Sequence, residues 1–175
     1  MKRRVVKVGG SLLAIPELGA KLCGWLSRNA DMQNILVVGG GEVVDVIRRL
    51  EESQNLTDQQ SHELACRALS LAAKVVACSV AEAEFCDRIE TLRESTSAIV
   101  IFDSSTWILE KDDIPATWDF TSDSIAARLA CELDAEELVL MKSRMGSVEE
   151  PGFVDACFAD ESKPAKSIRV CTLNE

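Results

Sequence analysis

A chain of 175 residues, 47% of them hydrophobic, is enough for one well-buried core and too little for two. A charged fraction of 27%, with no apolar run near the roughly 20 residues of a membrane helix, excludes general disorder and a transmembrane anchor. With 19 Lys and Arg against 29 Asp and Glu, the net charge of -10 repels phosphate backbones and argues against nucleic acid as a partner.

The opening MKRRVVKVGG sets basic residues before an apolar stretch, as a signal peptide does, but Lys7 and two glycines interrupt it, so no export is expected. Arg4–Val8 reads as a first strand, followed by the turn Lys7-Val8-Gly9-Gly10-Ser11 and a helix over Ile15–Arg28. Ile35–Val38 is a second strand, ending in Gly39-Gly40-Gly41-Glu42 and a helix over Glu42–Glu52. Thr57 and Gln60 have the spacing of a capping box, which predicts a sharp start to a long helical run, Gln60–Arg93, with a break inside it. A third strand, Ala98–Phe102, precedes the small-residue turn Thr121-Ser122-Asp123-Ser124, which opens a helix over Ser122–Leu133. Leu138–Met141 is a fourth strand. Ser143–Lys166 lacks a period and reads as a surface excursion with one helical turn near Val154–Ala159, and Ile168–Leu173 closes the chain as a fifth strand.

The strands are near-continuous apolar runs, which is the pattern of strands covered on both faces. Their alternation with helices specifies right-handed crossovers and an α/β fold: a three-layer α/β/α sandwich with a mostly parallel sheet, built as a single domain over residues 1–175. The run HELACRALSLAAKVVACSV is apolar on more than one face, which predicts a second subunit and a homodimer through the Gln60–Arg93 region. The seven cysteines form no C-x-x-C pair, and His62 is the single histidine. They are therefore read as small buried hydrophobes in a reducing, cytoplasmic setting, with no metal ligands among them.

Three glycine or small-residue turns each lie where a strand ends or a helix begins. In open parallel sheets that edge is where ligands bind, since helix N-termini and bare amides converge there. Gly9-Gly10-Ser11 and Gly39-Gly40-Gly41 fit neither a Walker loop nor a dinucleotide fingerprint. Lys7 stands inside an apolar strand, where an unpaired ammonium would be costly, and so is a candidate for function. Asp123 has a structural alternative as a helix-start residue beside a Thr121 or Ser122 cap. His62 has one as a capping-region residue, and Trp107 and Trp118 as packing. Asp112 and Asp113 read as a solvated turn.

Taken in order and spacing, VVKVGGSL, VVGGGEVVDVIR and WDFTSDSIAARLA resemble the three signatures of the amino acid kinase family, over roughly residues 4 to 142. Within it, Trp118 to Ser124 and His62 are most similar to the small aminomethylfuran phosphate kinase-like branch of methanopterin-type cofactor synthesis. The resemblance implies transfer of the terminal phosphoryl group of ATP, with Mg²⁺, to a small acceptor bearing a hydroxyl, carboxylate or phosphate. It implies that Lys7 stabilises charge on the transferring group, that Asp123 orients that lysine, and that Gly9, Gly10 and Ser11 hold the ATP phosphate. Gly39, Gly40 and Gly41 would bind the acceptor, with His62, Trp118, Thr121 and Ser122 beside it.

One departure stands out. Where the family has a T-D-x-x-G type loop after the fourth strand, this chain reads LVLMKSRMGSV, and the given sequence then runs only to Glu175. Lys142, Ser143 and Gly146 occupy the corresponding place, Lys142 ranking ahead of Lys163 and Lys166 as a second phosphate-binding lysine. The nucleotide lobe is expected to be shortened after about residue 146. That leaves two other readings: a non-catalytic small-ligand or regulatory module of the same fold, and a structural subunit paired with an active relative.

Overall fold

The computed structural model describes residues 1–174. Its strands are β1 (Arg3–Val8), β2 (Gln33–Val38), β3 (Glu84–Cys86), β4 (Ile99–Phe102), β5 (Glu137–Met141) and β6 (Ile168–Cys171). Its helices are α1 (Leu18–Arg28), α2 (Glu42–Gln54), α3 (Asp58–Ala77), α4 (Ile89–Glu94), α5 (Ser105–Leu109), α6 (Ser122–Glu132) and α7 (Phe158–Glu161). One sheet runs in the order β3-β4-β2-β1-β5-β6, and every pairing between the described strands is parallel. The α/β sandwich read from the sequence is thus the observed fold, and β1 and β2 are its central strands.

Alternation along the strands separates the two cores. Val5, Ile35, Val37, Val100, Leu138 and Leu140 face one side, where α6 packs Ile125, Ala126 and Leu129 against them, with Leu133 just past its end. Val6, Val8, Leu36, Val38, Val139 and Met141 face the other, against Leu22, Trp25 and Leu26 of α1. Lys7 has the parity of Val5, which turns it toward α6. α3 contributes to both cores, Cys66 and Leu69 to the first and Ala72, Ala73 and Val76 to the second.

The long helical run expected over Gln60–Arg93 is not one helix. α3 begins at the capping box as expected, with Thr57 accepting from the Gln60 amide and Gln60 returning the bond, but it stops at Ala77. The break holds the edge strand β3, only three residues long, and the short α4. Neither has an apolar run to announce it. The helix expected from Ile15 begins at Leu18, because Gly10–Ala14 forms a 3₁₀ turn first. The helical turn expected near Val154–Ala159 lies at Phe158–Glu161, and the last strand ends at Cys171. Of the cysteines, only Cys66, Cys86 and Cys171 are buried; Cys23, Cys131 and Cys157 are half-buried, and Cys78, at the end of α3, is exposed. Burial, with Asp103 and Glu63 adding to it, pushes the Cys66 thiol up to about 12, so it stays protonated and inert.

The two edges of the sheet are built differently. At the amino edge Arg4, 5% exposed, pairs with Glu137 and Asp31, and Arg169 adds a second bond to Glu137 at 2.8 Å. Charges close that edge. At the carboxyl edge the strands end in glycines and helix starts, and there the candidate site lies.

Candidate active site

Lys7 and Asp123 meet across the carboxyl edge, Lys7 Nζ lying 2.9 Å from Asp123 Oδ1. Lys142, the first residue after β5, donates to both carboxylate oxygens of Asp123 at 2.8 Å and to the Phe153 carbonyl at 2.9 Å. Lys7 and Asp123 are 5% and 6% exposed. One buried carboxylate therefore holds two ammonium groups, which leaves a net positive charge at the floor of the site. Burial alone would raise the Asp123 carboxyl, but Lys7 and Lys142 together outweigh it and hold it below its ordinary value. Burial, and after it the charge of Lys7, lowers the Lys142 ammonium against the pull of Asp123.

Above this floor the three turns converge, and packing explains their glycines. A Cβ on Gly10 would lie 2.2 Å from the Gly41 nitrogen, and one on Gly39 2.9 Å from both the Gly10 nitrogen and the Ser122 hydroxyl. Gly41 also has a φ of 57°, the left-handed region that glycine enters without steric cost. The roles of the amides divide. Gly9 N donates to the Met141 carbonyl at 2.8 Å and Gly39 N to the Val8 carbonyl at 2.9 Å, so both are engaged by the scaffold. Gly10 and Ser11 open the 3₁₀ turn, whose first amides have no partner within the turn itself. The Ser11 hydroxyl lies 3.3 Å from that of Ser143, which joins the first turn to the end of β5.

A cavity of about 710 Å³ opens beside this cluster. Gly39, Gly40, Gly41, His62, Trp118, Thr121 and Ser122 all line it, together with Gly10 and Ser11. The charged floor of Lys7, Asp123 and Lys142 is not among its lining residues; it adjoins the cavity through Ser122 and Gly10. Gly146 stands apart, packed so closely on the Phe153 ring that a Cβ there would lie 2.5 Å from it. Lys163 and Lys166 pair with Asp160, Asp134 and Glu136 at the surface, away from the cluster. Asp113 is ion-paired with Arg128 rather than merely solvated.

Further residues of the site carried no signal in the sequence. Arg48 of α2 lies over the Trp118 ring at 4.6 Å, while the Trp118 indole N–H donates to Glu51 at 2.6 Å, and all three line the cavity. Glu42, Asp45 and Asp58 add carboxylates to its rim. Ser61, 2% exposed, lines it with a hydroxyl that has no hydrogen-bond partner, an arrangement that a ligand's polar group would relieve. Burial lowers the His62 imidazole below its usual value, which favours the neutral form. The helix start at Thr121 is not capped by Thr121 or Ser122: Asp155, from the loop after β5, performs that role. Among the described residues no group of three or more His, Cys, Asp or Glu is arranged to hold a metal ion, and no helix is long and apolar enough to cross a membrane.

A parallel sheet with a lysine-flanked carboxylate and glycine turns at its carboxyl edge has counterparts among known proteins. The sequence is 26% identical over 138 residues to the [5-(aminomethyl)furan-3-yl]methyl phosphate kinase of Methanocaldococcus jannaschii, a match covering 78% of this chain and 63% of that one. The structure superposes on the uridylate kinase of Archaeoglobus fulgidus with a TM-score of 0.72 at 16% identity, covering 99% of this chain and 92% of that one. An aspartate kinase from Synechocystis matches with a TM-score of 0.60 at 18% identity, over 81% of this chain and 28% of that one. No family profile matches the chain. It has the amino acid kinase fold, and the resemblance to that family seen in its three motifs holds in both sequence and structure. The chain spans 63% of the length of its methanogen relative.

Proposed function

We propose that the protein is a cytoplasmic, Mg·ATP-dependent kinase that phosphorylates a small acceptor bound in the 710 Å³ cavity. The observation that carries this reading is the buried Lys7–Asp123–Lys142 cluster, set at the junction of the glycine turns and the cavity. Phosphoryl transfer asks a protein mainly to position groups and neutralise developing charge. Two lysines sharing one carboxylate supply that charge, and Asp123 keeps them in place without cancelling both.

ATP fits the residues present: the amides of Gly10 and Ser11, with Lys7 and Lys142, would hold its phosphates, and Gly9 brings the backbone close. When bound, Mg·ATP supplies the phosphoryl group and a metal ion held by its own phosphates. Ser143 borders the same place, whereas Gly146 shapes the loop through Phe153. Gly39 to Gly41, His62, Trp118, Thr121 and Ser122 would hold the acceptor. The carboxylates at the cavity rim suit an ammonium group and Arg48 suits an anion. Both chemistries occur in the compound that the methanogen relative phosphorylates by its name. The seven free cysteines and the charge of -10 support a reducing setting and a small-molecule partner in place of nucleic acid.

Transfer of labelled phosphate from ATP to [5-(aminomethyl)furan-3-yl]methyl phosphate, with UMP and aspartate as comparison acceptors, tests the reading. Transfer to none of them would favour a binding module. We propose that the described residues hold ATP mainly through its phosphates, at Gly10, Ser11, Lys7 and Lys142, and enclose its base poorly. Calorimetric titrations with ATP, GTP and bare triphosphate, each with Mg²⁺, are then expected to give Kd values within about tenfold, or about 1.4 kcal/mol. A strong preference for ATP would mean that further contacts to adenine exist.

We also propose a homodimer through the Gln60–Arg93 region, with α2 packed beside α3 at its border. Val46 and Leu50 on α2 and Leu64 on α3 remain 39–43% exposed away from the cavity, whereas the exposed Val43, Leu71 and Val75 line its wall. Leu64→Arg, outside the cavity, is expected to convert a dimer to a monomer in light scattering. A wild-type monomer at all concentrations would remove the proposal.

A further inference from the structure

We infer that Asp155 is a positioning residue of the site: from the loop after β5 its carboxylate fixes the start of α6, and through it the place of Asp123 between the two lysines. Its effect on turnover rests on the kinase reading above. Asp155 accepts from the Thr121 amide at 3.1 Å, the Thr121 hydroxyl at 2.8 Å, the Ser124 amide at 3.0 Å and the Ser124 hydroxyl. A helix start is ordinarily capped by the side chain of its own first residue. Here Thr121 makes no such bond, because its hydroxyl is given to Asp155. The carboxylate at this point is also favoured by the partial positive charge of the helix N-terminus.

Asp155 does not touch Lys7, Lys142 or Asp123, so it acts through others. Two connections carry the effect. Asp123 lies between Thr121 and Ser124, the two residues that Asp155 grips, so its backbone is held from both sides. Two residues before Asp155, the Phe153 carbonyl accepts from Lys142 at 2.9 Å, and the Phe153 ring lies 5.2 Å from the same ammonium. Loss of the Asp155 carboxylate frees the helix start on one side of Asp123 and the loop that steers Lys142 on the other. Both partners of the Lys142–Asp123 ion pair then lose their support at once. A displacement near 1 Å at such a cluster costs about 10²-fold in rate.

The test compares full-length wild type, Asp155→Ala, Asp155→Asn and Lys7→Ala, with Mg·ATP and [5-(aminomethyl)furan-3-yl]methyl phosphate, at a temperature where circular dichroism shows each folded. Asp155→Ala is expected to lower kcat about 10²-fold with the acceptor KM within about threefold, and to move the alkaline limb of the kcat–pH profile as Lys142 shifts. Asp155→Asn keeps an acceptor oxygen for the two amides and is expected to recover part of the loss. A kcat that falls only with the fraction unfolded, or a raised acceptor KM at unchanged kcat, would overturn the inference. If wild type transfers no phosphate, the kinase reading fails by itself. The positioning role is then read from amide hydrogen exchange over residues 121–125 and from the nitrogen resonance of Lys142. Both are expected to change in Asp155→Ala, and their constancy would overturn it.

Discussion

Lys7→Ala is expected to lower kcat/KM about 10²- to 10³-fold, or about 2.7–4 kcal/mol, the range seen when one group that stabilises transition-state charge is removed. The fold should survive, because Asp123 keeps two bonds to Lys142 and is not left as an unpaired buried charge. Lys7→Met, which retains most of the aliphatic volume under Val5 and α6, separates charge from packing. Steady-state kinetics beside thermal melts decide the matter: an unchanged rate in a folded Lys7→Ala protein would remove Lys7 from the mechanism.

Asp123→Asn is expected to damage both activity and stability, since it removes the shared counterion and leaves two ammonium groups facing each other in a buried place. Breaking a buried pair by deleting one partner costs about 3–5 kcal/mol. For a chain of this length that corresponds to a fall in Tm of about 6–20 °C. The sign of the pH dependence follows from the carboxyl being held below its ordinary value in the folded state. Its contribution is fully present above the unfolded carboxylate value of 3.8 and is lost as pH falls through the lower folded value. Urea melts from neutral pH down through that window should therefore show wild type losing stability in acid more steeply than Asp123→Asn. Parallel acid limbs for the two proteins would place the linkage elsewhere.

Local pattern determined a great deal of this protein. Apolar runs without alternation marked the strands as buried on both faces, and their alternation with helices left a parallel sandwich as the consistent topology. The capping box fixed where α3 starts. Lys7 betrayed itself as a charge within an apolar strand, and the glycine turns lay at strand ends, where backbone amides are exposed. That Gly39 to Gly41, His62, Trp118, Thr121 and Ser122 belong together was implied by the resemblance to the amino acid kinase family and not by local pattern, and the structure lines one cavity with all of them.

Tertiary structure decided what has no local period. β3 is an edge strand of three residues with too little apolar sequence to stand out from a helical run, and it exists because β4 offers it a partner. The amide of Gly9 is engaged by Met141, a neighbour supplied by the sheet pairing and distant in sequence. Arg48 and Glu51 look like any exposed helical charges until the loop carrying Trp118 folds over them. Asp155 sits in an unpatterned loop, and only folding brings its carboxylate to a helix start more than 30 residues earlier in the chain. Hydrophobic periodicity reports which face of an element is buried. It says nothing of which polar group, arriving from elsewhere, will complete a charge cluster or cap a helix, because those bonds depend on distances that exist only in the folded chain.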